Sequence, residues 1–291
     1  MNFTCDQWYE NGKITTINSL EVFYTRVGKG EVLLCIHGFP SSSWDFEAIW
    51  PSLISRFDCI AHDLIGLGKS AKPFIPLSVS LQADVIEELL VSLEIKEAHI
   101  LAHDLGDTVA QELLARQFNN TSKIQWLSCV LMNGGIFPET HKPLFTQLLL
   151  LSSLGPIVVK FMSEKTLKKS FTKIFSHANP PSDEFIRDTW NLITENNGRQ
   201  MIPKLLNYMI ERKKNRERWV TPLEKAVVPI RLINGIEDPI SGKHMAEHFE
   251  KLIPYADVIY LENAGHYPQV ERPTEVLKYF LEFHDRIDYS E

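Results

Sequence analysis

Asp104, Asp238 and His266 are the residues with which this chain could do covalent chemistry. Asp104 stands in Ala102-His103-Asp104-Leu105-Gly106, after an apolar run and at the start of a helix-like stretch. Small residues two before and two after a nucleophile permit a sharp strand-to-helix turn. The start of a helix also favours an ionised carboxylate. Simple capping of that helix by Asp104 is the alternative. Asp238 follows Ile233-Asn234-Gly235-Ile236-Glu237, and His266 lies in Asn263-Ala264-Gly265-His266-Tyr267-Pro268. Nucleophile, acid and histidine come in the chain order of one widespread triad. Glu237 competes with Asp238, but the Gly-x-x-Asp spacing from Gly235 favours Asp238. In His37-Gly38-Phe39-Pro40 the glycine allows a tight turn, so the Phe39 N–H could face a developing oxyanion. The Leu105 N–H would be the second such donor.

A carboxylate nucleophile limits the chemistry. Attack on an ester would give an anhydride and gain nothing over direct hydrolysis. Attack on an electrophilic sp³ carbon gives an alkyl ester of Asp104. His266 would then activate water against that ester, with Asp238 fixing the tautomer of His266 and stabilising its charged form.

These residues must be held at strand ends. Residues 13–17 and 20–27 read as short strands with a turn at Asn18-Ser19. Val32–Ile36 is a continuous apolar run, as in a strand covered on both faces. A helix is expected over 43–55, a strand over 57–61 and a helix over 79–93, capped by Ser78 or Ser80. A strand over 98–102, a helix over 105–117 and a strand over 124–132 follow. From about Pro138 to Trp219 no buried strand is expected. After Pro222 strands at 229–234 and 258–261 alternate with helices at 243–252 and 273–285. The pattern predicts an α/β core in two parts, 1–137 and 220–291, interrupted by a helical insertion at 138–219. The sheet should be mostly parallel and flanked by helices.

The four motifs, with Asp63-Leu64-Ile65-Gly66-Leu67-Gly68-Lys69-Ser70, resemble those of the α/β-hydrolases over essentially the whole chain. The resemblance is to the Asp-nucleophile branch of epoxide hydrolases and haloalkane dehalogenases. The run Asn133 to His141, with Arg212-Lys213-Lys214 and Trp219-Val220, resembles a vertebrate hydrolase-like member of that branch. The resemblance implies an α/β-hydrolase fold with a helical cap and no cofactor. Dehalogenases of the branch use Asn after His-Gly and Trp after the nucleophile as halide donors. Phe39 and Leu105 stand there instead, and their side chains donate nothing. Epoxide hydrolases carry Phe at the first of these positions and use cap tyrosines to protonate the leaving oxygen. Tyr208 is the only tyrosine of the insertion, so the second of the usual pair is missing. A helix-packing role for Tyr208 is the alternative. Trp44, His103 and Tyr208 are the candidate substrate contacts, with His103 and His141 equally readable as hydrogen-bonded interior histidines.

The expected reaction is hydrolysis of an epoxide or similar small apolar electrophile, with haloalkane dehalogenation second. A catalytically silent binder of apolar ligands is the reading from a different class. The apolar run Leu144 to Val159 is expected to roof the pocket. Hydrophobic residues are 44% of the chain and charged residues 23%, as in an ordinary globular protein. The formal charge of −7 and the lack of a basic stripe argue against nucleic acid. No transmembrane segment and no signal peptide are expected, and Cys5, Cys35, Cys59 and Cys129 are too scattered for a disulfide framework. A cytoplasmic monomer or homodimer fits these features. Gly66 to Ser70 lacks the first glycine of a phosphate loop, because Asp63 stands there. His244-Met245-Ala246-Glu247-His248 matches a zinc pattern but sits on an outer helix, so no metal is expected. The basic run 212–218 reads as a solvated helix face.

Overall fold

The computed structural model describes residues 3–288. Its single sheet has eight strands: β1 (Lys13–Ile17), β2 (Leu20–Gly28), β3 (Val32–Ile36), β4 (Asp58–His62), β5 (Glu97–His103), β6 (Gln125–Met132), β7 (Ile230–Gly235) and β8 (Asp257–Leu261). The spatial order is β1-β2-β4-β3-β5-β6-β7-β8. β2 runs antiparallel to β1 and β4, and every other pairing is parallel. Asn18 and Ser19 both have positive φ and close the β1–β2 hairpin, with Ile17 opposite Leu20.

The parallel strands are apolar because helices cover both faces. Leu33, Leu34, Cys35 and Ile36 of β3 and Ile100, Leu101 and Ala102 of β5 have no solvent exposure. The helix Leu105–Phe118 is buried over its first twelve residues. It lies between the sheet and the helix Arg216–Glu224, whose Trp219 donates Nε1–H to Glu112 at 2.8 Å.

Between β6 and β7 the chain forms only helices, from Phe145–Leu151 to Arg216–Glu224. The expected helix over 43–55 is split into a 3-10 turn at Ser43–Phe46 and a single turn at Trp50–Leu53. Pro51 stands in the first turn of the second piece, and the Ser43 N–H is drawn off to Asp63 Oδ1 at 2.8 Å. A helix at Cys5–Glu10, absent from the sequence reading, is closed by a capping box of Thr4 and Gln7.

The apolar run of the insertion does not turn wholly inward. Leu150, Gly155 and Val159 are buried, while Phe145, Leu148, Leu154 and Ile157 are exposed. None of the described helices is long and apolar enough to cross a membrane. All four cysteines are free thiols, and Cys35, Cys59 and Cys129 are buried.

Candidate active site

Asp104 sits between β5 and the helix Leu105–Phe118 with φ 51° and ψ −108°. A non-glycine residue at positive φ is costly and persists only where its surroundings hold it. Here the surroundings are two glycines. A Cβ on Gly106 would lie 2.2 Å from the Ile36 carbonyl oxygen. One on Gly38 would lie 2.7 Å from Asp104 Cβ. The small residues of the motif are therefore what let β3, the elbow and the helix close on one another.

The two carboxylate oxygens of Asp104 face different partners. Oδ1 accepts the Phe39 N–H at 2.9 Å. Oδ2 lies 3.4 Å from His266 Nε2. His266 Nδ1 lies 2.7 Å from Asp238 Oδ2. Leu105 is the first residue of the helix, where the backbone N–H has no intrahelical acceptor.

Asp238 is held from three sides. Its Oδ2 accepts from Asn133 Nδ2 at 3.1 Å and from the Ser241 hydroxyl at 2.8 Å, and its Oδ1 accepts the Ile240 N–H at 2.8 Å. Asn133, at φ 46°, also donates Nδ2–H to the Gly235 carbonyl at 3.0 Å and accepts the Gly235 N–H at 2.7 Å. It thus ties the end of β6 to the end of β7. Asn133 opens a run that carries the family resemblance but has no role assigned to it, and Ser241, three residues after Asp238, is not singled out by the sequence.

The His266 loop is fixed from both layers. His103 Nε2 lies 2.7 Å from the His266 carbonyl, so His103 orients the loop. The His266 N–H donates to the Ile174 carbonyl of the helical insertion at 2.8 Å. Glu271 accepts the Gly265 N–H at 2.8 Å and the Tyr267 N–H at 3.0 Å. His37 accepts the Leu64 N–H on Nε2 at 2.9 Å and donates Nδ1–H to Gly38 O at 2.8 Å. Burial lowers its pKa to about 4, so it is a neutral brace of the Phe39 turn.

Electrostatics follow from the packing. Burial works against a charge on His266, but Asp238 and Asp104 outweigh it and hold the imidazole well above the ordinary histidine range. Burial likewise works against a charge on Asp104, and His266 with the Phe39 N–H holds it below the usual carboxylate range. The resting site is a cation between two anions, out of contact with water.

The sequence candidates land differently. Tyr208 is buried on the helix Tyr208–Lys214, and its hydroxyl has no hydrogen-bond partner. Burial and Asp104 raise its pKa. Trp44 stacks on Phe185 at 5.8 Å and lines a cleft with Phe3 and Val270 whose wall includes neither Asp104 nor His266. There it joins the core to the insertion. The basic run 212–218 is a solvated face at Lys213, Lys214, Glu217 and Arg218, with Arg212 the exception. Arg212 is 1% exposed, Arg218 pairs with Glu112 at 2.8 Å and Arg216 hydrogen-bonds Glu139 at 3.0 Å. His244 and His248 lie against Thr140 O at 3.0 Å and Glu139 Oε1 at 3.3 Å, and the described residues contain no cluster disposed to hold a metal ion. The Gly66–Ser70 loop wraps Asp63, whose Oδ2 accepts the Lys69 N–H at 2.7 Å.

Comparison with known proteins finds the alpha/beta hydrolase family matched over residues 33–278. The mesoderm-specific transcript protein of Mus musculus is 38% identical over 289 residues, which cover 95% of this chain and 86% of that protein. Among solved structures, haloalkane dehalogenase DatA from Agrobacterium tumefaciens C58 superposes with a TM-score of 0.80 at 18% identity, covering 95% of this chain and 96% of that one. The epoxide hydrolase CorEH superposes with a TM-score of 0.77 at 19% identity, covering 95% and 99%. At such identities the structural likeness is one of fold.

Proposed function

Because the chain belongs to the α/β-hydrolase family, we propose that it is a hydrolase working through a covalent alkyl ester on Asp104, with epoxides or similar small electrophiles as substrates. The observation that carries this reading is the split environment of the Asp104 carboxylate. Oδ1 rests on the Phe39 N–H and Oδ2 faces His266. Oδ2 is the oxygen free to attack carbon. Oδ1 then becomes the ester carbonyl, already on the donor that would stabilise its oxyanion.

In the first half-reaction Oδ2 bonds to an electrophilic carbon, and the ring C–O bond breaks. The leaving oxygen takes the Tyr208 hydroxyl proton. Esterification removes the Asp104 charge that helps hold the His266 proton, so the imidazolium passes that proton to the Tyr208 oxyanion. In the second half-reaction the neutral His266 then takes a proton from water, whose oxygen attacks Asp104 Cγ. The Cγ–Oδ2 bond breaks, and the departing alkoxide takes the proton from His266. The second water proton leaves the Asp104 carboxyl for His266, which restores the resting charges. Asp238 keeps the Nδ1 proton in place throughout.

The unpartnered Tyr208 hydroxyl favours an oxygen leaving group. Phe39 and Leu105 offer no side-chain donor to a halide, which places haloalkanes second. The catalytically silent reading has to leave three buried, mutually charged residues without purpose, at a cost in stability. A panel of epoxides, haloalkanes and aryl esters tests the proposal. Diol from epoxides is the expected result. Turnover of aryl esters alone would sink the carboxylate mechanism.

A further inference from the structure

The helix Tyr208–Lys214 places a second feature beside the triad that the reaction above leaves unused. Arg212 lies one helical turn after Tyr208 on the same face, with its guanidinium 4.9 Å from the Tyr208 ring centroid. It is 1% exposed. Its Nε and Nη2 donate to Thr108 Oγ1 at 3.2 and 2.5 Å. Nη1 donates to His141 Nδ1 at 3.3 Å. It makes no ion pair with any carboxylate among the described residues. Thr108 itself lies one helical turn after Asp104, so Arg212 is anchored to the elbow.

A buried charge without a direct ion pair is expensive, and burial lowers the pKa of Arg212 although Asp104 and Asp107 act against that shift from a distance. The neighbouring polar groups do not repair this. His141 Nε2 is buried without a partner, and the Tyr208 hydroxyl, beside the guanidinium, has no acceptor for its proton. Because His141 Nδ1 accepts from Arg212, the hydrogen of the neutral ring sits on Nε2. Burial and the adjacent guanidinium keep that ring neutral, with a pKa of about 3. Arg212 retains one unused N–H on each of Nη1 and Nη2. Every unsatisfied group in the cluster is therefore a donor, and their complement is an acceptor with several lone pairs and a negative charge.

Arg212 and His141 are reached from outside by a cleft, on the side away from Tyr208 and Asp104, which are not in its wall. The cleft, of about 100 Å³, has Arg212 and His141 in its wall, apolar sides from Leu148, Leu151, Met209 and Ile210, and Lys213 among its lining residues. Lys213 is exposed and adds a second positive charge at this cleft of a chain whose net charge is −7.

We propose that Arg212, with His141 Nε2–H, binds a carboxylate on the substrate, so that the enzyme takes electrophiles bearing an ionised carboxyl group and an apolar chain. This rests on Asp104 as the nucleophile. The guanidinium would also offset repulsion between the substrate carboxylate and Asp104, which otherwise opposes their approach. The apolar sides of the cleft would take the chain.

The test compares trans-2,3-epoxyhexanoate with its methyl ester, reading diol formation and the mass of the Asp104 peptide. The acid should be preferred in kcat/KM by ~100-fold, the size of effect that follows from unpairing one member of a buried charged pair. Arg212→Met should collapse the acid-to-ester ratio toward one through KM for the acid, and Arg212→Lys should restore part of it. An ester alkylating Asp104 as fast as the acid, or a ratio unchanged in Arg212→Met, overturns the proposal. Should Arg212→Met fail to fold, the wild type decides. Hexanoate should protect Asp104 from 1,2-epoxyhexane at concentrations at least ~10-fold below those of hexanamide, and equal protection overturns the proposal. Failure of the nucleophile reading looks different. If no epoxide forms an adduct on Asp104 while hexanoate, and not hexanamide, raises the melting temperature, the anion subsite stands and the covalent mechanism falls.

Discussion

The Phe39 N–H holds Asp104 Oδ1 at 2.9 Å, so the donor meant for an oxyanion is already occupied by the nucleophile's own second oxygen. A serine at this position would present a single oxygen and leave that donor to the substrate. A carboxylate makes enzyme and intermediate share one oxygen. The water that hydrolyses the ester must then leave its oxygen in the enzyme.

Multiple turnovers in ¹⁸O-water should therefore label the peptide containing Asp104. A single turnover should give product carrying no ¹⁸O from the solvent, because the product's new oxygen comes from Asp104. An unlabelled peptide after many turnovers would mean direct attack of water on substrate. Asp104→Ala should lower kcat by at least ~10⁴-fold, the scale seen when a nucleophile is removed, with the circular dichroism spectrum unchanged.

His266 should be required for the second half-reaction only. Alkylation needs an ionised carboxylate, and Asp104 is held ionised. Ester hydrolysis needs a base because neutral water is a poor nucleophile. His266→Gln should stall as a stable adduct on the Asp104 peptide. The mass gain equals the whole substrate for an epoxide, or the substrate less hydrogen halide for a haloalkane. Absence of any adduct from a substrate the wild type turns over would refute this division of labour.

The charge pattern of the site predicts a bounded window of stabilisation. The pKa of His266 is raised, so its contribution is complete below about pH 6.5 and is lost as pH rises through the folded value. Asp104 and Asp238 are lowered, so theirs is complete above about pH 4 and is lost as pH falls through their folded values. The stability difference between wild type and His266→Gln should peak between those limits and shrink toward pH 10. Urea midpoints at pH 5.5 and pH 10 measure it, and a gap that widens with pH contradicts the assignment.

Asn133 should matter for stability as much as for activity. Asn133→Ala removes bonds to Gly235 and Asp238 and strands the buried Gly235 N–H. A loss of about 3 kcal/mol is expected from these groups. Part of any further loss would come from forcing alanine to φ 46°. Asn133→Gly should therefore be less damaging than Asn133→Ala in chemical denaturation. The reverse order would assign the cost to helix or strand propensity.

Much of this was legible because it is local. Continuous apolar runs marked β3, β5 and β6, and the triad motifs lay where those strands and β7 and β8 end. The small residues around Asp104 announced the elbow before its φ was known. What could not be read depends on distant partners. Arg212 is indistinguishable from its basic neighbours until Thr108, 104 residues away in the chain, buries it. Trp44 took its place from Phe185 of the insertion. The exposed Phe145 and Ile157 show that apolarity alone does not say which way a helix faces.

The bond from the His266 N–H to the Ile174 carbonyl has a mechanical consequence. Gly265 packs so closely on this segment that a Cβ there would lie 2.3 Å from the Ile174 oxygen. The helical layer is therefore pinned to the very loop that carries the base. A lid that swung about its far edge would drag His266 away from Asp104 with every opening. The pinned edge must instead serve as the axle. Any displacement of the helical layer about this edge that keeps the bond leaves His266 seated against Asp104.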